Sequence, residues 1–165
     1  MCSPTRDPAV HHVGIISDTH GLVRPEALDA LRGSDLIVHA GDVGDASVID
    51  QLRQVAPTVA VRGNIDVGAW GRTLPATRTV EVGALRLFVL HEISSLSLDP
   101  KAASFAAVIF GHSHRASAEV KDGVLYLNPG SAGPRRFTLP ISLAKLRVVE
   151  TRLTHEIVEL RVHGR

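Results

Sequence analysis

The sequence predicts an α/β sandwich with mixed or paired sheets and with its helices on the outside. Two observations favour this class. In the first two thirds of the chain, short runs rich in β-branched residues alternate with stretches of helical periodicity, which is typical of parallel strands joined by helical crossovers. Towards the end of the chain, apolar and polar residues alternate at a spacing of two, which predicts antiparallel strands.

Three strands and two helices are predicted in the first part of the chain. The strands cover residues 11–17, 35–40 and 58–63. The first helix, residues 25–33, has Pro25 in its first turn and Gly33 at its end, and the second, residues 45–55, begins at Asp45 as N-cap. This order implies parallel pairing with right-handed crossovers.

The later elements are predicted to be strands with one short helix. Residues 77–83 and 84–91 form a hairpin pair, which a loop and a short helix over residues 101–105 follow. A buried strand covers residues 106–110, two strands flank an Asp-Gly turn within residues 116–128, and residues 141–151 and 152–162 pair as antiparallel strands.

Composition favours a single domain over residues 11–165, preceded by a flexible tail over residues 1–10. The chain has 165 residues and is 44% apolar, which is enough for a core without disulfides. Its net charge of +1 gives no overall field, so we expect neither a nucleic-acid polymer nor a membrane as partner. A lone cysteine, Cys2, and the lack of a signal-peptide pattern or long apolar run predict a cytoplasmic protein.

Residues able to ligate a metal follow five of the predicted strands. They are Asp18, His20, Asp42, Asn64, His91, His112 and His114. The carboxyl ends of parallel strands line one crevice, so these side chains are expected to meet there. Side chains two apart in an extended segment point the same way, so His112 and His114 should converge, as should Asp18 and His20. The alternative for these residues is ordinary turn and cap chemistry.

Seven ligands are too many for one tetrahedral zinc ion but suit two adjacent cations with open positions. Two divalent cations bring +4 and the two aspartates −2, so the site would carry a net positive charge. Such a site attracts an anion, lowers the pKa of bound water and stabilises charge on a phosphoryl group under attack. The pattern therefore predicts metal-dependent phosphoryl chemistry.

The order of these motifs resembles the calcineurin-like metallophosphoesterase superfamily, whose signature runs D-x-H, G-D, G-N, H and G-H-x-H. Here the motifs appear as DTH at 18–20, GD at 41–42, GN at 63–64, His91 and GHSH at 111–114. The short chain and the later NPGS at 128–131 are similar to the compact bacterial and archaeal phosphodiesterase branch. Five ordered motifs make a specific signal, although each alone is weak.

The resemblance implies a four-layer α/β/β/α sandwich with two mixed sheets and a dinuclear site. By similarity, Asp18, His20 and His114 hold one metal, Asn64, His91 and His112 hold the other, and Asp42 bridges them. A metal-bridging hydroxide would attack phosphorus in line. Mn²⁺ is the favoured metal, and Fe, Ni²⁺ or Zn²⁺ are also compatible with mixed N and O ligands. Compact relatives often pair, so a homodimer or homotetramer is expected.

Two positions depart from the family pattern. Many members have a histidine that assists the leaving group where this chain has Ile65, so no general acid is assigned. His91 is followed by Glu92 where the family usually has glycine. This carboxylate has three interpretations: it ligates a metal, it repels substrate phosphate, or it points to solvent.

Residues assigned to substrate binding are Asn64, Gly130, Ser131 and Arg135. The N-H groups of NPGS suit an anion-facing nest, with an ordinary structural turn as the alternative. For Arg135, and for Arg136 beside it, a solvated basic turn is the alternative. His39 is predicted to be buried and hydrogen-bonded rather than a ligand, and Asp66 is left without a role.

The predicted function is a metal-dependent phosphoesterase that hydrolyses small phosphodiesters rather than monoesters. The alternative is a scaffold or binding protein of the same fold that does no chemistry, as the retromer scaffold subunit of the superfamily illustrates. The sequence leaves the physiological substrate open.

Overall fold

The computed structural model describes residues 7–163. Much of the predicted tail, residues 1–6, lies outside these described residues. The first strand begins at Val10, one residue earlier than predicted. No helix within residues 7–163 combines the length and apolar character that crossing a membrane requires.

Within residues 7–163, ten strands and two α-helices follow one another in nearly the predicted order. They are β1 Val10–Ile16, α1 Pro25–Leu31, β2 Leu36–His39, α2 Ala46–Arg53, β3 Thr58–Ala60, β4 Thr77–Val82, β5 Leu85–Leu90, β6 Ala107–Ile109, β7 Ser117–Lys121, β8 Val124–Asn128, β9 Ser142–Val149 and β10 Arg152–Glu159. Short 3₁₀ helices cover Gly71–Thr73 and Ile93–Ser95. The predicted N-cap of α2 is confirmed, since the Asp45 carboxylate accepts the Ser47 N-H at 2.7 Å.

The strands form two mixed sheets of five strands each. The first has the order β10-β9-β1-β2-β3, in which β1, β2 and β3 are parallel and β9 and β10 are antiparallel. The second has the order β4-β5-β6-β8-β7, with a parallel centre and an antiparallel strand at each edge. The predicted two-sheet α/β sandwich is therefore confirmed.

The main core lies between the two sheets. One face of the first sheet contributes Val13, Ile15, Val38 and Leu146, and the facing sheet contributes Leu87, Val89, Ile109 and Leu127. These side chains alternate along their strands because successive residues point to opposite faces. On the outer face of the first sheet, α1 and α2 pack through Leu31, Ile49 and Leu52 onto Ile16 and Ile37.

Among the described residues, the outer layer on the second sheet contains no α-helix, so the predicted helix over residues 101–105 is wrong. Residues 100–104 form turns. The Asp99 carboxylate accepts the N-H groups of Lys101 and Ala102, which starts a helical turn. Ser104 then adopts a φ of 62°, in the left-handed region, which ends the turn before an α-helix can propagate. The fourth layer is thus a 3₁₀ helix and turns that cover Phe88, Leu90 and Val108.

Candidate metal centre

All seven predicted metal ligands lie in loops at the ends of strands from both sheets. Loops of the first sheet meet where the Asp18 N-H donates to Gly41 O and the His20 N-H donates to Asp42 O, each at 3.0 Å. In the second sheet, the Gly111 N-H donates to His91 O at 2.9 Å. The centre therefore spans the rim of the sandwich.

Five of the seven predicted ligands have a left-handed backbone, namely Asp18, His20, Asp42, His112 and His114, with φ between 48° and 71°. The extended conformation predicted for these residues is therefore wrong, and it does not explain why their side chains converge. These residues follow the strands, and tight turns aim their side chains. Non-glycine residues rarely adopt this conformation, and when they do, they concentrate at functional sites.

Asp18 uses its two carboxylate oxygens differently. Oδ2 accepts the Ser17 hydroxyl at 2.7 Å and the His112 N-H at 3.1 Å. Oδ1 is buried and accepts no hydrogen bond from the described residues. It lies 3.3 Å from His114 Nε2 and 3.9 Å from Nε2 of both His20 and His91. A buried carboxylate oxygen that faces three imidazoles is the arrangement that a cation would satisfy.

The two carboxylate oxygens of Asp42 also have different neighbours. Its Oδ1 accepts the Ile65 N-H at 3.0 Å, and its Oδ2 lies 3.5 Å from His20 Nε2 and 3.4 Å from His91 Nε2. Burial raises the pKa of Asp42, but the hydrogen bonds from His91 and Ile65 outweigh it and lower the pKa below its ordinary value. Asp42 is therefore an ionised carboxylate between imidazoles from both sides of the centre.

His91 is oriented by a backbone carbonyl. Its Nδ1 donates to Ala40 O at 2.8 Å, which leaves Nε2 to present a lone pair to the centre in the neutral ring. Burial lowers the pKa of His91, but the hydrogen bonds with Asp42 and Ala40 and the charges of Asp42 and Asp18 outweigh it and raise the pKa.

The Asn64 side chain joins His91 to His112. Its terminal amide atom lies 3.0 Å from His91 Nε2 and 3.1 Å from His112 Nδ1. It is also 3.2 Å from both carboxylate oxygens of Asp42. The Asp42 oxygens and the Nε2 of neutral His91, whose proton is on Nδ1, are acceptors, and His112 Nδ1 is one too when its ring carries the proton on Nε2. Either an amide N-H or a cation must lie among them, and with a cation bound we expect the amide oxygen to turn inward.

The ligand atoms fall into two groups that share Asp18. One group is Asp18, His20 and His114, and the other is Asp18, Asp42 and His91, each with its atoms within 4.8 Å of one another. Ligands bonded at about 2.0–2.1 Å to one cation lie roughly 3.0–3.4 Å apart, close to the shorter distances here. Buried His20 Nε2 also lacks a partner among the described residues. The residues present therefore fit two divalent cations.

Asp66, which the sequence left unassigned, links the loops that carry Asp42 and Asn64. Its carboxylate accepts the N-H groups of Val43 at 3.1 Å and of Gly44 and Gly63 at 2.9 Å. These hydrogen bonds of the buried Asp66 carboxylate fix the positions of the two loops relative to each other. Its partners on the Asp42 loop are more than twenty positions away, so no local pattern points to it.

His39 is buried and hydrogen-bonded, as predicted. Its Nδ1 accepts the Gly41 N-H at 3.2 Å, so Nε2 carries the proton and faces Thr19 Oγ1 at 2.9 Å. The Thr19 hydroxyl in turn donates to Val43 O at 2.9 Å. Burial, with a smaller contribution from the positive charge of His91, lowers the pKa of His39 to about 3. The ring is therefore neutral and braces the loops behind the ligands.

The NPGS segment forms hydrogen bonds within itself and to Asp18. The Ser131 hydroxyl donates to Asp18 O at 3.0 Å, and the Gly130 N-H donates to Asn128 Oδ1 at 2.9 Å. Gly130 and Ser131 are buried. These bonds support the structural alternative for NPGS, a brace under Asp18, while contact with substrate stays a prediction.

Two charged side chains, Glu92 and Arg136, lie at the edge of the centre. Glu92 Oε1 is 4.0 Å from His112 Nε2, and both side chains are about half exposed. Arg135 and Arg136 are exposed. Burial, the charge of Arg136 and that of His20 lower the pKa of His114 against the opposing effect of Asp18.

Comparison with known proteins matches this site to a family. The model of the calcineurin-like phosphoesterase superfamily domain covers residues 12–151. A probable metallophosphoesterase of Methanothermobacter thermautotrophicus is 33% identical over 161 residues, which cover 88% of this chain and 91% of the relative. The phosphodiesterase MJ0936 of Methanocaldococcus jannaschii is 28% identical over 137 residues, covering 72% of this chain and 82% of that protein.

Solved structures share the fold. Vps29 of Chaetomium thermophilum has a TM-score of 0.79 at 24% identity. The match covers 92% of this chain and 89% of the Vps29 chain. A structure described as a novel archaeal phosphodiesterase has a TM-score of 0.73 at 25% identity. The match covers 89% of this chain and 99% of the archaeal chain. The motif order, the shared ligand groups and the family match over residues 12–151 lead to one conclusion: this chain belongs to the calcineurin-like phosphoesterase superfamily.

Proposed function

We propose that this protein is a dinuclear metal-dependent phosphodiesterase. The observation that carries the proposal is the buried, unpartnered Oδ1 of Asp18, which belongs to both ligand groups. His114 Nε2 lies 3.3 Å from this oxygen, but the pKa of His114 is lowered by burial, which argues against a structural ion pair between them. The phosphodiesterase among the relatives supports the same chemistry.

The ligand set assigns each residue a task. Asp18, His20 and His114 would hold one cation, and Asn64, His91 and His112 the other, with Asp42 between them. When bound by these residues, divalent cations would supply a nucleophile by lowering the pKa of water, and positive charge to neutralise phosphoryl oxygens. The mixed nitrogen and oxygen donors suit Mn²⁺, which we propose as the activating metal.

Ile65 supports a preference for good leaving groups. Its N-H donates to Asp42, while its side chain, 39% exposed, has no proton to give. General acid assistance is commonly worth about 10²- to 10⁴-fold in rate. A substrate that depends on such assistance gains nothing from this position, so esters with acidic leaving alcohols or phenols are favoured.

Glu92 supports diesters over monoesters through its charge. The Ser94 hydroxyl holds its Oε1 at 2.8 Å, close to His112, and Glu92 belongs to neither metal-ligand group. The carboxylate therefore adds a negative charge at the edge of the centre. A monoester near neutral pH carries about two negative charges and a diester one, so the monoester is repelled about twice as strongly.

The test compares bis(4-nitrophenyl) phosphate with 4-nitrophenyl phosphate in the presence of Mn²⁺. We expect diester turnover in the unmodified protein, loss of turnover by at least about 10²-fold in Asp18→Asn, and a diester-to-monoester ratio that falls in Glu92→Gln. Asp122→Asn, in the exposed β7–β8 turn, is the matched control for Asp18→Asn.

Two results would contradict the proposal in different ways. Full metal occupancy without turnover of either ester would favour the scaffold alternative, because the ligands would then serve only the fold. Faster turnover of the monoester would retain a phosphoesterase but exclude the diester preference.

A further inference from the structure

A cavity of about 440 Å³ opens beside the metal centre on the side of Asn64. It is lined by Arg62, Gly63, Asn64, Asp66, Val67 and Arg72. Cavities that hold small ligands measure roughly 300–1,000 Å³. Because Asn64 faces both the cavity and the metal ligands His91 and His112, one arm of an ester bound at the centre would extend into this space.

Two guanidinium groups give the cavity its charge. Arg62 is partly buried and donates from Nη1 to Leu74 O at 3.2 Å, which uses one of its five N-H groups. Arg72 is exposed and makes no ion pair or side-chain hydrogen bond with the described residues. Both cations therefore have donors to offer to a ligand.

The carboxylate in the lining offsets only one of these two positive charges. Both Asp66 oxygens accept backbone N-H groups, from Val43 and Gly63 on Oδ2 and from Gly44 on Oδ1. Asp66 forms no ion pair with Arg62 or Arg72. The remaining wall includes Val67, 68% exposed, which offers apolar surface to the part of a substrate between two charged groups.

We propose that Arg62 and Arg72 form a second anion subsite, so that the substrate is a phosphodiester with a further phosphate on one of its arms. This inference rests on the proposed function. The guanidinium fork matches phosphate geometry, and the scissile phosphate is already served by the metal ligands. The two arginines are separated from those ligands by Asn64 and remain for a second anionic group.

The test uses two diesters that release the same phenol. Thymidine 5′-(4-nitrophenyl phosphate) has a free 3′-hydroxyl, and its counterpart carries a 3′-phosphate. With Mn²⁺, we expect kcat/KM for the 3′-phosphorylated diester to exceed that for the other by at least about tenfold, the gain typical of hydrogen bonds to charged groups.

Variants locate the effect. In Arg72→Gln and Arg62→Gln the ratio of the two kcat/KM values should fall towards one, while in Arg152→Gln, an exposed arginine on β10, it should keep its original value. The proposed subsite would be contradicted if the kcat/KM ratio of the two diesters were near one in the unmodified protein. It would also be contradicted if the ratio stayed the same in the double variant with both arginines replaced. Failure to hydrolyse either diester would instead refute the proposed function itself.

Discussion

Asp18 is the residue that connects both halves of the centre, and its role depends on how few partners it has. One oxygen is fixed by Ser17 and by the His112 N-H, so the other is held in place without being satisfied. A carboxylate with two hydrogen-bonded oxygens would be a structural anchor. A carboxylate with one fixed and one free oxygen is a preorganised ligand.

At the residue scale, the sequence shows the motifs of the candidate ligands and the burial of His39, but it does not show the supporting role of Asp66. Asp18 and His114 belong to short motifs whose order is visible in the sequence. Asp66 follows GNI without any signature, and its bonds to Val43 and Gly44 cross more than twenty positions. Only the folded chain brings such partners together.

His39 makes the stability of the protein depend on pH. Burial lowers its pKa from 6.5 to about 3, so the folded chain keeps the ring neutral where the unfolded chain binds a proton. Protonation therefore favours the unfolded state. Between pH 6.5 and about 3, the free energy of unfolding should fall by about 1 kcal/mol per pH unit through this residue.

Urea unfolding in EDTA between pH 7 and 5 checks this prediction, because no metal then competes with protons for the ligands. His39→Gln retains a side-chain amide that can donate to Thr19 but does not titrate. The difference in unfolding free energy between the two proteins should shrink as the pH falls below 6.5. Parallel pH profiles would show that His39 does not titrate as described.

At the scale of elements, the strands and both α-helices follow from the sequence because their periodicity and caps are local. The helix expected over residues 101–105 does not form because Ser104 has a left-handed backbone. Nothing about a serine at this position predicts that conformation. The same limit applies to the ligand loops. Their glycines signal tight turns, but the left-handed conformations of Asp18 and His112 do not appear in any periodicity.

At Gly111, the loop after β6 packs closely against Asp18. A Cβ at this position would lie 2.6 Å from Asp18 Oδ2 and would contact the Ser17 hydroxyl more closely still. Gly111→Ala should displace the carboxylate from its hydrogen bonds. We expect the affinity for Mn²⁺ to fall by about 10- to 100-fold, the range typical when support of a metal ligand is lost.

Isothermal titration with Mn²⁺ measures this effect. Gly68→Ala is the matched control, since a Cβ there meets no atom within 4 Å and the backbone is not left-handed. Unchanged affinity in Gly111→Ala, with the control also unchanged, would mean that Asp18 does not need this close packing to bind metal.

At the scale of the whole molecule, the centre exists because two sheets end at one rim. The first sheet supplies Asp18, Asp42 and Asn64 with its loops, and the second supplies His91 and His114. The class of fold was predictable from strand order and patterning. The detailed packing of side chains between the two sheets was not, because no local pattern shows which residues, such as Ile15 and Ile109, share one core.

Diffraction from crystals of the Mn²⁺-loaded protein, measured at the manganese absorption edge, tests the central claim most directly. We predict two anomalous peaks per chain, with Asp42 between them. The first would lie with Asp18, His20 and His114, and the second with Asn64, His91 and His112. No peak at this rim, or a single one that leaves Asp18 Oδ1 unligated, would contradict the account.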